Sequence, residues 1–127
     1  MSKHETQLVE RFWKETGGTL IEEFLAVKGT LNQGRRLIDG VIIKGGPHRK
    51  VKASDANVAG RKIVVVQAKA HRLGMYLLGQ ALFSRDLLGD FEPKSIETVA
   101  ICTKGDTELE KLAKRYGIRV VVYDAKS

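Results

Sequence analysis

Apolar residues recur along this chain with two different periods, and a few polar residues break the pattern where it should be most apolar. Leu8, Val9, Phe12 and Trp13 fall at i, i+1, i+4 and i+5. That is one stripe of a 3.6-residue period and predicts an amphipathic helix over residues 4–16, stopped by Gly17-Gly18. Residues 19–27 mix β-branched and apolar positions ahead of Gly29 and read as a strand. Asn32-Gln33-Gly34 makes a turn, and residues 36–44 form a second strand broken by Gly45-Gly46-Pro47. The stretch 47–60 is polar and aperiodic, a long excursion before a third strand over 61–69. Residues 72–88 are hydrophobic nearly all round, which predicts a helix covered by sheet on one side and by another element on the other. A fourth strand over 97–103 follows. Thr107-x-x-Glu110 then reads as a capping box for a short helix over 108–116, stopped by Gly117. Ile118 to Tyr123 complete the pattern as a strand. The order α-β-β-β-α-β-α-β predicts one α/β domain over residues 1–127, a mixed β-sheet flanked by helices.

Asp39 interrupts the run Leu37-Ile38-Asp39-Gly40-Val41-Ile42-Ile43, and Gln67 and Lys69 close the run Ile63-Val64-Val65-Val66-Gln67-Ala68-Lys69. Burying such groups in a strand costs several kcal/mol unless they are paired, hydrogen-bonded or metal-bound. Side chains alternate along a strand, so Gln67 and Lys69 are expected on one side of it. For Asp39 two accounts stand: a functional carboxylate, or a buried acid satisfied by backbone or by Arg35 or Arg36. Glu5 also has two. It points along the centre of the Leu8/Val9/Phe12/Trp13 stripe, yet Ser2-x-x-Glu5 is itself a capping box. Gln80 and Ser84 share a helical stripe with Leu73, Leu77 and Leu87, either as a structural contact or as groups lining a site.

Charge narrows the partners. The formal net charge is +7, which favours polyanions, nucleic acid above all. Lys44, His48, Arg49, Lys50 and Lys52 crowd between the second and third strands and read either as a phosphate-binding segment or as a solvated loop. The single cysteine, Cys102, lies in an apolar run and is expected to be a buried thiol in a reducing cytoplasm. The first residues carry no apolar h-region, so no signal peptide is expected, and no apolar run approaches membrane-spanning length. Three scattered histidines and one cysteine make no zinc set.

A helix glutamate, a strand aspartate, then Gln67-Ala68-Lys69 on the next strand and a helix carrying Gln80 together resemble the PD-(D/E)XK nuclease superfamily. The pattern is closest to archaeal Holliday-junction resolvases and their small relatives. The resemblance spans roughly residues 5–88. It implies a restriction-endonuclease-like fold, with Glu5 as the helix glutamate, Asp39 as the metal aspartate, Gln67 at the second acidic position and Lys69 as the catalytic lysine. Two departures are plain: Ile38 replaces the motif's proline, and Gln67 replaces its acid, removing one negative charge from a cation site. The implied cofactor is Mg²⁺ or Mn²⁺, held by Asp39, the Gln67 amide oxygen and the Ala68 carbonyl. The implied activity is DNA endonuclease cleavage of duplex or branched DNA by a homodimer, with Gln80 and Ser84 near the nucleic-acid backbone. A nuclease-fold module that binds nucleic acid without cutting it is the alternative, and a domain whose polar residues are merely satisfied core groups is a third.

Overall fold

The computed structural model describes residues 1–124, in which six strands form one sheet in the order β3-β1-β2-β4-β5-β6. Helix α1 (Lys3–Thr16) leads into β1 (Thr19–Val27), β2 (Arg36–Ile43) and a two-residue β3 (Lys50–Val51). A 3-10 turn at Ala53–Asp55 precedes β4 (Lys62–Ala68), and then α2 (Met75–Gly89), β5 (Ser95–Cys102), α3 (Thr107–Arg115) and β6 (Ile118–Val122) follow. β1–β2 and β2–β4 pair antiparallel, whereas β1–β3, β4–β5 and β5–β6 pair parallel. Parallel neighbours need a crossover, and α2 and α3 supply it. The mixed α/β core is the one expected from the chain's periodicities. β3 is the addition, a short strand docked inside the polar excursion.

The two sheet faces carry separate cores. Leu8, Val9, Phe12 and Trp13 of α1 pack on Leu20, Ile42, Val64, Val66, Val99 and Ile101. Ile21, Phe24, Ile38, Val41, Ile63, Val65 and Leu88 fill the opposite face, and α2 and α3 meet over Ala100, Cys102 and Ile118. Strands buried on both faces read as continuous apolar runs, which is why β2 and β4 do. Cys102 is the buried thiol expected, and burial pushes its pKa up.

Two local features seat α1. Ser2 and Glu5 exchange both capping-box bonds, at 3.2 Å each. Gly40 leaves room for Val9: a Cβ at Gly40 would stand 3.0 Å from Val9 Cγ1. Glu5 lies one helical turn before Val9, so close packing at Gly40 brings the first turn of α1 beside Asp39.

Three expectations need correction. Helix α2 begins at Met75 rather than 72, because Leu73 N–H donates to the Lys104 carbonyl (2.8 Å) and the Arg72 guanidinium to the Gly105 carbonyl (2.9 Å), tying residues 72–73 to the β5–α3 loop. Asp106, not Thr107, caps α3. Its carboxylate accepts from Leu109 N–H while Glu110 reaches back to Asp106 N–H, both at 3.0 Å. Finally, the outer face of α2 is open: Met75, Tyr76 and Phe83 are exposed.

Candidate active site

The β2–β4 ladder pairs Gly40 with Val66, and the next step along it would set Asp39 opposite Gln67. There side chains take over from main-chain rungs. Asp39 N–H donates to Gln67 Oε1 (3.3 Å), and Ala68 N–H donates to Asp39 Oδ2 (2.9 Å). On the other side of β2, the β1 register passes from Glu22↔Gly40 to Phe24↔Ile38, leaving Glu23 opposite Asp39 in the left-handed conformation (φ 51°). Ile38 and Val41 consequently share one core cluster although they are three residues apart, so strand alternation breaks at Asp39. Backbone irregularity of this kind is concentrated at functional sites.

Gln67 is buried, and its Nε2 donates to Ser84 Oγ of α2 at 2.7 Å. The Asp39 main-chain N–H can only donate, so it fixes the amide with Oε1 toward Asp39 and Nε2 toward Ser84. Ser84 therefore holds the oxygen of Gln67 at Asp39. Tyr76, Gln80 and Ser84 are spaced one turn apart, so the half-buried Gln80 stands between a residue at Gln67 and one at Lys69.

Lys69 lies just beyond β4, its N–H on the Ile101 carbonyl at 3.0 Å. Its ammonium is 3.9 Å from Glu5 Oε2 and 5.9 Å from the centre of the Tyr76 ring. Glu5 thus does both things its position allowed: Oε1 closes the capping box, and Oε2 faces Lys69. Burial raises the pKa of Asp39 above the ordinary carboxylate value. The Ala68 hydrogen bond opposes this, the nearby Glu5 charge adds to it, and Lys69 works against it. Asp39 is satisfied by backbone; Arg35 and Arg36 are not its partners.

The oxygen set suits a hard cation. Asp39 offers a carboxylate, Gln67 an amide oxygen, and the Ala68 carbonyl points to the same edge of β4 as the N–H that Asp39 accepts, since both main-chain groups of a strand residue face one side. Among the described residues, no group of three or more His, Cys, Asp or Glu side chains is placed to hold a metal. A cation here would therefore keep several waters and rest on neutral oxygens as much as on carboxylate, a fit to Mg²⁺ or Mn²⁺ and a poor one to zinc.

The basic segment is elsewhere. Lys44 N–H bonds the Lys62 carbonyl at the start of β4, which puts Lys44 at the end of the sheet away from Gln67. β3 then runs back parallel to β1, with Lys50 level with Leu20 and Ile42, so Lys50 and Lys52 lie across the sheet from Gln67, on the far side of β1 and β2 from β4. Lys50 is engaged by Glu10 and, at 3.1 Å, by Glu22, and His48 stacks on Trp13 with ring centroids 4.2 Å apart. Lys52 precedes the 3-10 turn as its cap. Lys50 works as a structural cation: among the described residues Glu22 Oε2 is buried without a hydrogen-bond partner, so Lys50→Ala strands two carboxylates. It should lower stability by about 1 kcal/mol, discounted for exposure, readable by urea titration. The cations that do share the site's end of the sheet are Lys28, Arg35 and Arg36 around the β1–β2 turn, and Arg72 and Lys104 after β4 and β5. Only the strand order reveals them, because in sequence they are dispersed. Tyr76 was missed for the same reason.

Comparison of the chain with protein-family models, curated proteins and solved structures returned no match.

Proposed function

We propose that this protein is a divalent-metal-dependent DNA endonuclease of PD-(D/E)XK type. The observation that carries the reading is the cross-strand lock at one end of the sheet. Asp39 and Gln67-Ala68 hold each other through side-chain bonds that replace ladder rungs, and Lys69 and Glu5 close the same end. A purely structural polar pair has no need to replace the β2–β4 rungs at Asp39, to set the facing Glu23 of β1 in the left-handed region, or to place a lysine ammonium and a second carboxylate beside a half-buried acid.

Phosphodiester hydrolysis requires an activated water and neutralisation of charge growing on phosphorus oxygens. Mg²⁺ or Mn²⁺ on Asp39, Gln67 Oε1 and the Ala68 carbonyl would supply the Lewis acidity. Lys69 orients the attacking water and stabilises negative charge on the scissile phosphate. Glu5 keeps the Lys69 ammonium in place and accepts a hydrogen bond from water, and Ser84 keeps Gln67 from flipping. Cutting both strands with so small a domain takes two copies, as a homodimer. The cations at this end, Lys28, Arg35, Arg36, Arg72 and Lys104, provide the polyanion-binding surface, with the 44–52 segment a more distant contact.

The charge-poor ligand set favours a second reading, a module that binds DNA and cuts slowly or not at all. Incubation of duplex, single-stranded, flapped and four-way DNA with Mg²⁺ or Mn²⁺ separates the two. Cleavage is expected, and Lys69→Ala should slow it on the order of 10²–10³-fold, as loss of one transition-state donor does, with DNA affinity little changed. Binding of all four DNAs without any metal-dependent product would leave only the second reading.

A further inference from the structure

Among the described residues Leu31 is the most exposed large apolar side chain, at 104% of its reference area, and it stands at the tip of the β1–β2 turn. The turn is stiffened by its own hydrogen bonds. Thr30 N–H donates to the Gln33 carbonyl (2.9 Å), Asn32 N–H to Thr30 Oγ1 (3.2 Å), and Gln33 Nε2 to the Lys28 carbonyl (3.0 Å). Lys28, Arg35 and Arg36 flank it, and among the described residues none of the three is ion-paired; Arg36 Nη1 only donates to the Arg35 carbonyl, at 3.3 Å. A rigid tip that displays one leucine between free cations serves no packing purpose in this molecule.

Beside the turn runs a groove of about 500 Å³ between it and α2, lined by Asn32, Gln33 and Arg36 on one wall and Phe83 and Asp86 on the other. Phe83 is 67% exposed and offers a stacking face. Asp86 disfavours a phosphate in the groove but accepts from an exocyclic amine, and Asn32, Gln33 and Arg36 can meet the rest of a base edge.

We propose that Leu31 is an apolar wedge that enters the stack of duplex DNA, and that the groove between the turn and α2 receives the displaced base on Phe83. Apolar side chains flanked by Arg, Lys, Asn and Gln are the chemistry by which proteins unstack base steps from the minor groove. The inference rests on the reading of this protein as DNA-binding and adds a distorted duplex as its substrate form. Arg36 is three residues from Asp39 along β2, so the wedge acts on the order of 20 Å from the candidate site, about six base steps at ~3.4 Å each.

The test uses duplexes carrying 2-aminopurine at one position at a time, with Ca²⁺ in place of Mg²⁺, binding being followed by anisotropy. A several-fold rise in 2-aminopurine fluorescence is expected on binding at a subset of positions. Leu31→Ala should abolish the rise, Leu31→Phe should keep it, and Phe83→Ala should diminish it, all with the melting temperature unchanged because both residues are exposed. Binding with no rise at any position, or an equal rise with Leu31→Ala, overturns the wedge. Metal-dependent cleavage without the rise would leave the nuclease reading intact while removing this one. A Leu31-dependent rise in a protein that cuts no DNA would do the reverse. Failure to bind any duplex removes the wedge as well.

Discussion

Asp39→Asn should abolish metal-dependent cleavage, by 10²-fold or more on the order of other lost electrostatic groups, and at the same time make the metal-free protein more stable at neutral pH. The first effect follows from losing the one carboxylate in the ligand set that faces both Gln67 and Ala68. The second follows from burial. A carboxyl whose pKa is higher in the folded than in the unfolded chain binds its proton more tightly when folded. Its contribution to stability is therefore full below the ordinary carboxylate pKa and is lost as pH rises through the raised folded value. Above that value the ionised Asp39 is a burden on the fold. Asparagine removes the charge and keeps an oxygen for the Ala68 N–H. Thermal melts across pH should show the variant above the wild type near neutrality, with the gap closing as pH falls into the carboxylate range. A variant less stable than the wild type at pH 7 would mean that Asp39 serves the fold, not a reaction.

The candidate site was legible in the sequence because it breaks rules the rest of the chain obeys. Asp39 and Gln67 stand in runs of β-branched residues, and no local propensity accounts for them. The strands themselves were equally plain: β2 and β4 end within one residue of the limits set by Gly45 and by Arg61. The short β3 was not, since two residues carry no period and pair only because Leu20 N–H finds the Arg49 carbonyl at 3.0 Å. The site's surroundings were hidden for a different reason. Sequence density singled out Lys44 to Lys52, but the strand order places β3 on the far side of β1 and β2 from β4, while antiparallel pairing of β1 with β2 brings Arg35 and Arg36 to the end of the sheet that Asp39 and Gln67 occupy. Proximity along the chain opposed proximity in space. The open face of α2 belongs to the same class. An apolar helix is expected to be covered, and Tyr76 and Phe83 look outward because α3 packs Leu109 and Ala113 over Leu78 and Leu82 instead.

Gln67→Glu should lower the melting temperature of the metal-free protein and recover it in Mn²⁺ or Mg²⁺. The new carboxylate would be buried beside Asp39, whose own ionisation is already opposed by burial and by Glu5. It would also lose the Nε2 donor that now satisfies Ser84, although the serine hydroxyl can turn and donate instead. One added, poorly paired buried charge costs about 2–4 kcal/mol once it is relieved in part by Lys69 and Ser84. A divalent cation reverses the sign of that interaction. At 100-fold excess over its dissociation constant it contributes about 2.7 kcal/mol, enough to restore most of the loss. Calorimetric titration should find tighter metal binding than in the wild type, and cleavage should be preserved or faster. If Gln67 is instead only a core amide joining β2, β4 and α2, the variant melts low and stays low whatever the metal concentration. That one result, measured beside an Asp39→Asn control that metal also leaves unmoved, would remove Gln67 from the ligand set and with it the physical case for a cation at this end of the sheet.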